Sequence, residues 1–159
     1  MAIVVRPATP ADVPQLHNMI LELAEFEKAV HEVSATESDL HEALFGGTSL
    51  FAHVIDAPDG GLTAMAIWFL NYSTWDGAHG IYLEDLYVRE QFRGQGFGTA
   101  LLRELASICT ARGYTRFQWW VLNWNTPAIG TYKKIGAIPM DEWTVYRLTG
   151  DALTDFADN

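Results

Sequence analysis

Three glycines at alternate positions, Gly94, Gly96 and Gly98, follow an apolar stretch and precede an amphipathic one. Glycine lets the backbone take positive φ and approach a ligand closely. With a strand ahead of the loop and a helix behind it, the free N–H groups of the loop and first helical turn converge on one place. That place favours negative charge, such as a pyrophosphate. Two other cradles are excluded by spacing: a P-loop needs G-x-x-x-x-G-K-[ST] and a dinucleotide turn needs G-x-G-x-x-G, whereas here G-x-G-x-G follows Arg93, late in the chain. Just upstream, Glu84 and Asp85 are adjacent acids, and strand alternation sends their side chains to opposite faces. The five histidines (His17, His31, His41, His53, His79) show no ligand spacing and Cys109 is the one cysteine, so no metal site and no disulfide is expected. Cys109 falls among apolar helix positions and reads as a small buried hydrophobe.

The elements that must position these groups are legible in outline. Ile3–Arg6 suits a short strand, broken by Pro7 to Pro10. Thr9 or Asp12 can cap a helix reaching about Phe26, with Val13, Leu16, Ile20, Leu23 and Ala24 at helical spacing. A short helix over Glu37–Leu44, capped near Ser34 or Thr36, ends at Gly46-Gly47. Leu50–Asp56 and Leu62–Tyr72 form a hairpin about Pro58-Asp59-Gly60-Gly61. A loop over Thr74–Gly80 leads to the strand Ile81–Val88 and the glycine loop. Thr99–Arg112 is a helix ended by Gly113, Arg116–Leu122 an aromatic-rich strand, Pro127–Ile135 a helix, and Trp143–Leu148 a last strand. The order β-α-α-β-β-β-α-β-α-β describes one mixed α/β domain over residues 1–159, without repeat or linker.

Composition narrows the function. With 49% hydrophobic and 19% charged residues the 159-residue chain can bury a core. No apolar run is long enough to span a membrane, and the N-terminus lacks a secretory pattern, so a cytoplasmic address is expected. The net charge of −10 disfavours nucleic acid. That charge is uneven: residues 1–88 carry two basic against thirteen acidic residues, while residues 89–159 carry eight against seven. The first part suits a cationic ligand and the second tolerates an anionic one.

The run Arg93-Gly94-Gln95-Gly96-Phe97-Gly98 resembles the [Q/R]-x-x-G-x-[G/A] cofactor motif of the GNAT superfamily of N-acetyltransferases. The resemblance extends from Arg6-Pro7-Ala8-Thr9 to the last strand. It implies the GNAT fold, a single mixed, mostly antiparallel central sheet flanked by helices, and acetyl-CoA as co-substrate with no metal. It further implies that the backbone of Leu86, Tyr87 and Val88 pairs with the pantetheine arm as an added strand would. Gly94, Gln95, Gly96, Phe97, Gly98 and Thr99 would hold the pyrophosphate, with Arg93, Asn125, Pro127 and Tyr132 adding cofactor contacts.

Within that superfamily the chain looks most like the diamine (spermidine/spermine) and thialysine acetyltransferase branch. The residues carrying this are Glu22-Leu23-Ala24-Glu25-Phe26-Glu27, Tyr82-Leu83-Glu84-Asp85-Leu86-Tyr87-Val88, Trp124-Asn125 and Tyr132-Lys133-Lys134-x-Gly136-Ala137. The loop after Trp75 is about one residue longer than in the animal enzymes, and the segment before Trp143 is shorter. Such enzymes acetylate amines. An alkyl amine with a pKa near ~10 is nucleophilic in only about one molecule per thousand at pH 7, so a carboxylate that accepts its proton gains about three decades. The resemblance points to Glu84 as that base, through water, and to Tyr132 as the acid that protonates the departing thiolate. Backbone N–H near Val88 would hold the oxyanion.

A long cationic amine needs carboxylates with aromatic faces between them. Candidates are Phe26, Glu27, Trp75, Asp76, Asp85, Trp119, Trp120, Glu142 and Trp143, and the resemblance supports Phe26-Glu27, Gln118-Trp119-Trp120 and Glu142. The expected activity is acetyl transfer from acetyl-CoA to a primary aliphatic amine, a diamine or polyamine, by direct attack in a homodimer. Alternatives are another amine (thialysine or a lysine-like compound, an aminoglycoside, a peptide N-terminus) and a non-catalytic acyl-CoA-binding module.

Overall fold

The computed structural model describes residues 2–159, which divide into two compact units, one ending at Trp120 and the other spanning Val121–Asn159. The first unit is built on a five-stranded sheet in the order β1-β2-β3-β4-β5. Its strands are β1 (Arg6–Pro7), β2 (Phe51–Asp56), β3 (Leu62–Ser73), β4 (Ala78–Val88) and β5 (Arg116–Trp119). Neighbours are antiparallel except β4 and β5, which run parallel. A parallel pair needs a crossover, and α3 (Phe97–Arg112) supplies it. The other helices are α1 (Val13–Phe26) and α2 (Glu37–Phe45).

Local chemistry sets these boundaries. The start of α1 is preceded by a 3-10 turn over Pro10–Asp12, where Thr9 N–H donates to Asp12 Oδ2 at 2.7 Å. Arg6 grips the same carboxylate (2.8 and 3.0 Å) and also Asp56 (2.7 Å), tying β1 to the head of α1 and the end of β2. Thr36 and Asp39 exchange backbone-to-side-chain bonds of 2.8 and 3.1 Å, a reciprocal cap at the start of α2.

The sheet is covered on both faces. Val13, Leu16 and Met19 of α1 and Leu40 and Leu44 of α2 pack with Ala52, Val54, Met65, Ile67 and Tyr87. On the opposite face, Ile55, Ala64, Ala66, Trp68, Ile81 and Leu83 are buried where α3 contributes Leu101, Leu102, Leu105 and Cys109. There Trp68 Nε1 donates 3.0 Å to His53 Nδ1, and burial holds the His53 imidazole below its usual pKa. Gly80 is required where β4 meets β5: a Cβ would stand 2.7 Å from the Arg116 carbonyl oxygen.

The second unit differs from the sequence-based expectation. Helix α4 (Thr126–Lys134) forms, with Asn125 Oδ1 accepting from Ala128 N–H at 3.4 Å. The strand expected over Trp143–Leu148 does not form: these residues have no regular structure. Strand-forming side chains do not make a strand unless a neighbour takes up the backbone groups, and no segment within this unit does so. A helix not foreseen, α5 (Gly150–Ala157), follows Thr149. Among the described residues, none of 121–159 is buried. Among the described residues, no helix is long and apolar enough to cross a membrane.

Candidate active site

The site grows from a departure in β4. Its last residue paired with β5 is Leu83, opposite Trp119, yet β4 runs on to Val88. On the β3 side pairing continues to Ala64 opposite Val88. From Glu84 to Val88, therefore, the edge of β4 facing β5 has no strand partner among the described residues. Leu86, Tyr87 and Val88, expected to meet the pantetheine arm, lie on this open edge, which suits an extended ligand pairing as a strand.

A bulge marks the point where the strands part. Trp68 pairs with Leu83 and the adjacent Ile67 with Asp85, leaving Glu84 as the extra residue. Phe69 and Ile67 share a face of β3, so their partners Tyr82 and Asp85 share one too, although three residues apart. This corrects the expectation that Glu84 and Asp85 alternate across the sheet. The bulge cancels the alternation and puts Asp85 on the α1 side, within reach of the charges of Glu84 and of Glu27 at the end of α1. Burial first, then those two charges, pushes the Asp85 carboxyl up to about 6. Burial also raises Glu27.

Past Val88 the chain turns through Glu90–Phe92 into the glycine loop. Gly94 (φ +76°) and Gly96 (φ +89°) are left-handed, a backbone that side chains resist, and a Cβ on Gly94 would meet open space. Gly96 is the N-terminal cap of the 16-residue α3 and has no side chain with which to bond the first-turn amides. The N–H groups of Phe97, Gly98 and Thr99 have no intrahelical acceptors. The loop is thus a built anion cradle, next to the open edge of β4, and the donor set fits a coenzyme A pyrophosphate. Arg93 behaves differently. Its Nε donates 3.0 Å to the Val88 carbonyl and its guanidinium lies over the rings of Phe26 (4.9 Å) and Tyr87 (5.6 Å).

The remaining amine-side candidates separate by face and distance. Gln118 pairs with Tyr82 and accepts from Asn71 Nδ2 at 3.1 Å, and the Trp120 ring meets Tyr82 edge-on at 6.1 Å. Gln118 and Trp120 thus share the face of Asp85. Trp119, opposite Leu83 and against Phe117, is on the other. Trp75 stands 83% exposed in the turn before β4, and the strand puts it about 20 Å from Asp85 at ~3.3 Å per residue. Asp76 is engaged there by Thr115 (2.8 Å) and Arg116 (3.3 Å). In the second unit, Asn125 caps α4, Pro127 lies in its first turn, Tyr132 is half-buried in its last part, and Glu142 and Trp143 are exposed. Among the described residues no group of three or more His, Cys, Asp or Glu is placed to hold a metal.

The bulge and the Arg93 stack were missed by sequence reasoning. The bulge left a trace: apolar positions run Ile81, Leu83, then Leu86, Val88, a change of phase at Glu84. The stack left none, since Phe26 and Arg93 are far apart in the chain.

Comparison with known proteins agrees with this construction. Residues 16–137 match the model of the Acetyltransferase (GNAT) family. The chain is 37% identical to a thialysine N-epsilon-acetyltransferase of Mus musculus over 96% of each chain. It is 31% identical to an L-ornithine N5-acetyltransferase of Arabidopsis thaliana, over 94% of this chain and 85% of that protein. An integron cassette protein from V. cholerae superposes with a TM-score of 0.82 at 23% identity, covering 100% of this chain and 99% of that one. The chain belongs to the GNAT family of acetyltransferases, and its five-stranded mixed sheet with flanking helices is that family's fold.

Proposed function

We propose that the protein transfers an acetyl group from acetyl-CoA to a primary aliphatic amine of a small cationic molecule, a diamine or polyamine. The carrying observation is the open edge of β4, with an anion cradle at one end and the carboxyl groups of Glu84, Asp85 and Glu27 near the bulge. Acetyl-CoA supplies an activated acyl carbon and a thiolate leaving group. Glu84 takes the ammonium proton through water, so that nitrogen attacks as the free base. Backbone N–H near Val88 holds the carbonyl oxygen as negative charge develops. Tyr132 gives its phenolic proton to the departing sulfur. Asp85 and Glu27 hold the distal cationic end, with Phe26, Trp120 and Gln118 as walls. Asn125 and Pro127 add cofactor contacts, and Glu142 an outer carboxylate.

The family match crosses the boundary between the two units, which supports reading residues 1–159 as one acetyltransferase domain. Exposed large apolar side chains in 121–159, Tyr146 (93%) and Trp143 among them, support a homodimer. A second substrate reading, the terminal amine of thialysine or an ornithine-like amino acid, is favoured by the names of the two similar enzymes.

The test is release of coenzyme A from acetyl-CoA over spermidine, shorter diamines, thialysine, ornithine, lysine and peptides. Turnover with spermidine and diamines is expected. Turnover restricted to thialysine or ornithine moves the substrate to amino acids, and acetyl-CoA binding with no turnover on any amine leaves a non-catalytic binding module.

A further inference from the structure

Arg93 occupies the position from which a basic side chain would be expected to reach the pyrophosphate, and its contacts run the other way. One N–H is spent on the Val88 carbonyl (3.0 Å), at the end of the open strand edge. The planar group then covers the Phe26 ring at 4.9 Å and the Tyr87 ring at 5.6 Å. Tyr87 is buried in the α1–sheet core, and burial first, then Glu22 of α1, raises its phenol above the usual pKa. Glu22 is itself held by Arg89 at 3.2 Å. The first residue of the glycine motif is thereby joined to the last residue of α1, Phe26, and the next residue is Glu27.

A second observation concerns how α1 ends. Lys28 N–H donates to Glu25 O at 3.0 Å and Ala29 N–H to Ala24 O at 2.8 Å, a helix-ending motif that places Lys28 in the left-handed region. Its φ of +59° is the one positive value at a non-glycine residue among the described residues. Glycine normally fills that position. Such a backbone persists where its surroundings over-determine it. The Arg93 stack on Phe26, two residues earlier, is a contact from outside the helix beside that turn.

We infer that Arg93 is a positioning residue for the amine: its side chain pins the Phe26–Glu27 end of α1 to the acetyl-CoA loop, while the loop's backbone amides hold the phosphates. Ordering of the loop by coenzyme A then orders the wall that carries Glu27, so the cofactor favours amine binding. This rests on the acetyltransferase reading for its kinetic arm only.

The experiment uses the full-length enzyme and Arg93→Met, Arg93→Lys, Phe26→Leu and the Arg93→Met/Phe26→Leu double variant. Loss of the stack should raise the amine KM about tenfold, leave kcat within about threefold and leave the calorimetric affinity for coenzyme A within about threefold. Arg93→Lys, which keeps the charge but not the planar fork, should recover part of the amine KM. The double variant should be no worse than the poorer single one, because both break one contact. Additive losses, or a defect confined to coenzyme A affinity, overturn the inference and return Arg93 to the phosphate. Should Arg93→Met fail to fold, Arg93→Gln carries the same KM test. Hydrogen exchange over residues 22–30 needs no turnover: coenzyme A should protect these amides in the wild type and not in Arg93→Met. Equal protection in both overturns the link, whereas a wild type that binds coenzyme A and acetylates nothing fails the proposed function and leaves this arm to judge Arg93.

Discussion

The two units of this chain contain similar side chains and treat them differently. Up to Trp120, each apolar face of the sheet is covered, by α1 and α2 on one side and α3 on the other, and Leu16, Met19, Leu101 and Leu105 are fully buried. From Val121 onward, two helices of nine and eight residues leave Trp143, Tyr146, Leu153 and Phe156 exposed. Helices of that length are marginal in water without a partner surface. The first unit holds the buried core and the anion cradle. The second carries Tyr132 and Asn125 but no core.

The largest expected effect measures that contrast. Leu105→Ala should cost about 2–5 kcal/mol in urea unfolding, at any protein concentration, because it opens a cavity in a closed core. Tyr146→Ala should cost under about 0.5 kcal/mol in dilute protein and, on the proposed homodimer, more in concentrated protein. A cost at Tyr146 that ignores concentration would remove the homodimer from the comparison.

Next in size, the chemistry should dissociate from the stability. Tyr132→Phe should lower kcat by about 100-fold or more while the melting temperature and coenzyme A affinity stay near wild type. A kcat close to wild type would take Tyr132 out of the mechanism and leave the second unit without a catalytic part.

These contrasts explain what the sequence could tell and what it could not. The strand–glycine loop–helix was legible because each part is a local signal: apolar alternation, glycines at left-handed positions, a 3.6-residue period. The failed strand at Trp143–Leu148 carried the same local signal, but a strand exists only through a neighbour, and neighbours are not local. Helix α5 had a weak mark, Thr149 before Asp151 with Leu153 and Phe156 three apart, outweighed by its brevity. The Phe26–Arg93 stack joins residues whose proximity depends on the whole sheet.

Inside the first unit, half-buried Asp85 and buried His53 give opposite pH signatures. Asp85, pushed up to about 6, must be ionised to hold an ammonium, so kcat/KM for the amine should fall about tenfold per unit below pH 6. Asp85→Asn should be slower at neutral pH and flat across that window. Since the folded state raises this pKa, its contribution to stability is present below about pH 4 and lost as pH rises through 6. Asp85→Asn should therefore be the more stable protein at pH 7. A wild-type profile with no inflection near 6 would count against Asp85 as an amine ligand.

His53 has the reverse sign. Burial lowers its pKa, so the unfolded chain takes up a proton near pH 6.5 that the folded state refuses. Stability is full above pH 6.5 and falls by up to about 1.4 kcal/mol per unit below it. His53→Gln should flatten that slope, and an unchanged slope would place the acid sensitivity elsewhere.

The smallest effect is the sharpest on the site. Lys28→Gly relieves a left-handed lysine and should stabilise the fold by about 1 kcal/mol. The same change frees the turn that aims Glu27, so the amine KM should rise even as the melting temperature rises. If stability and amine affinity improved together, the strained end of α1 would have no part in holding the amine, and the boundary between the core and the site in the first unit would need to be drawn elsewhere.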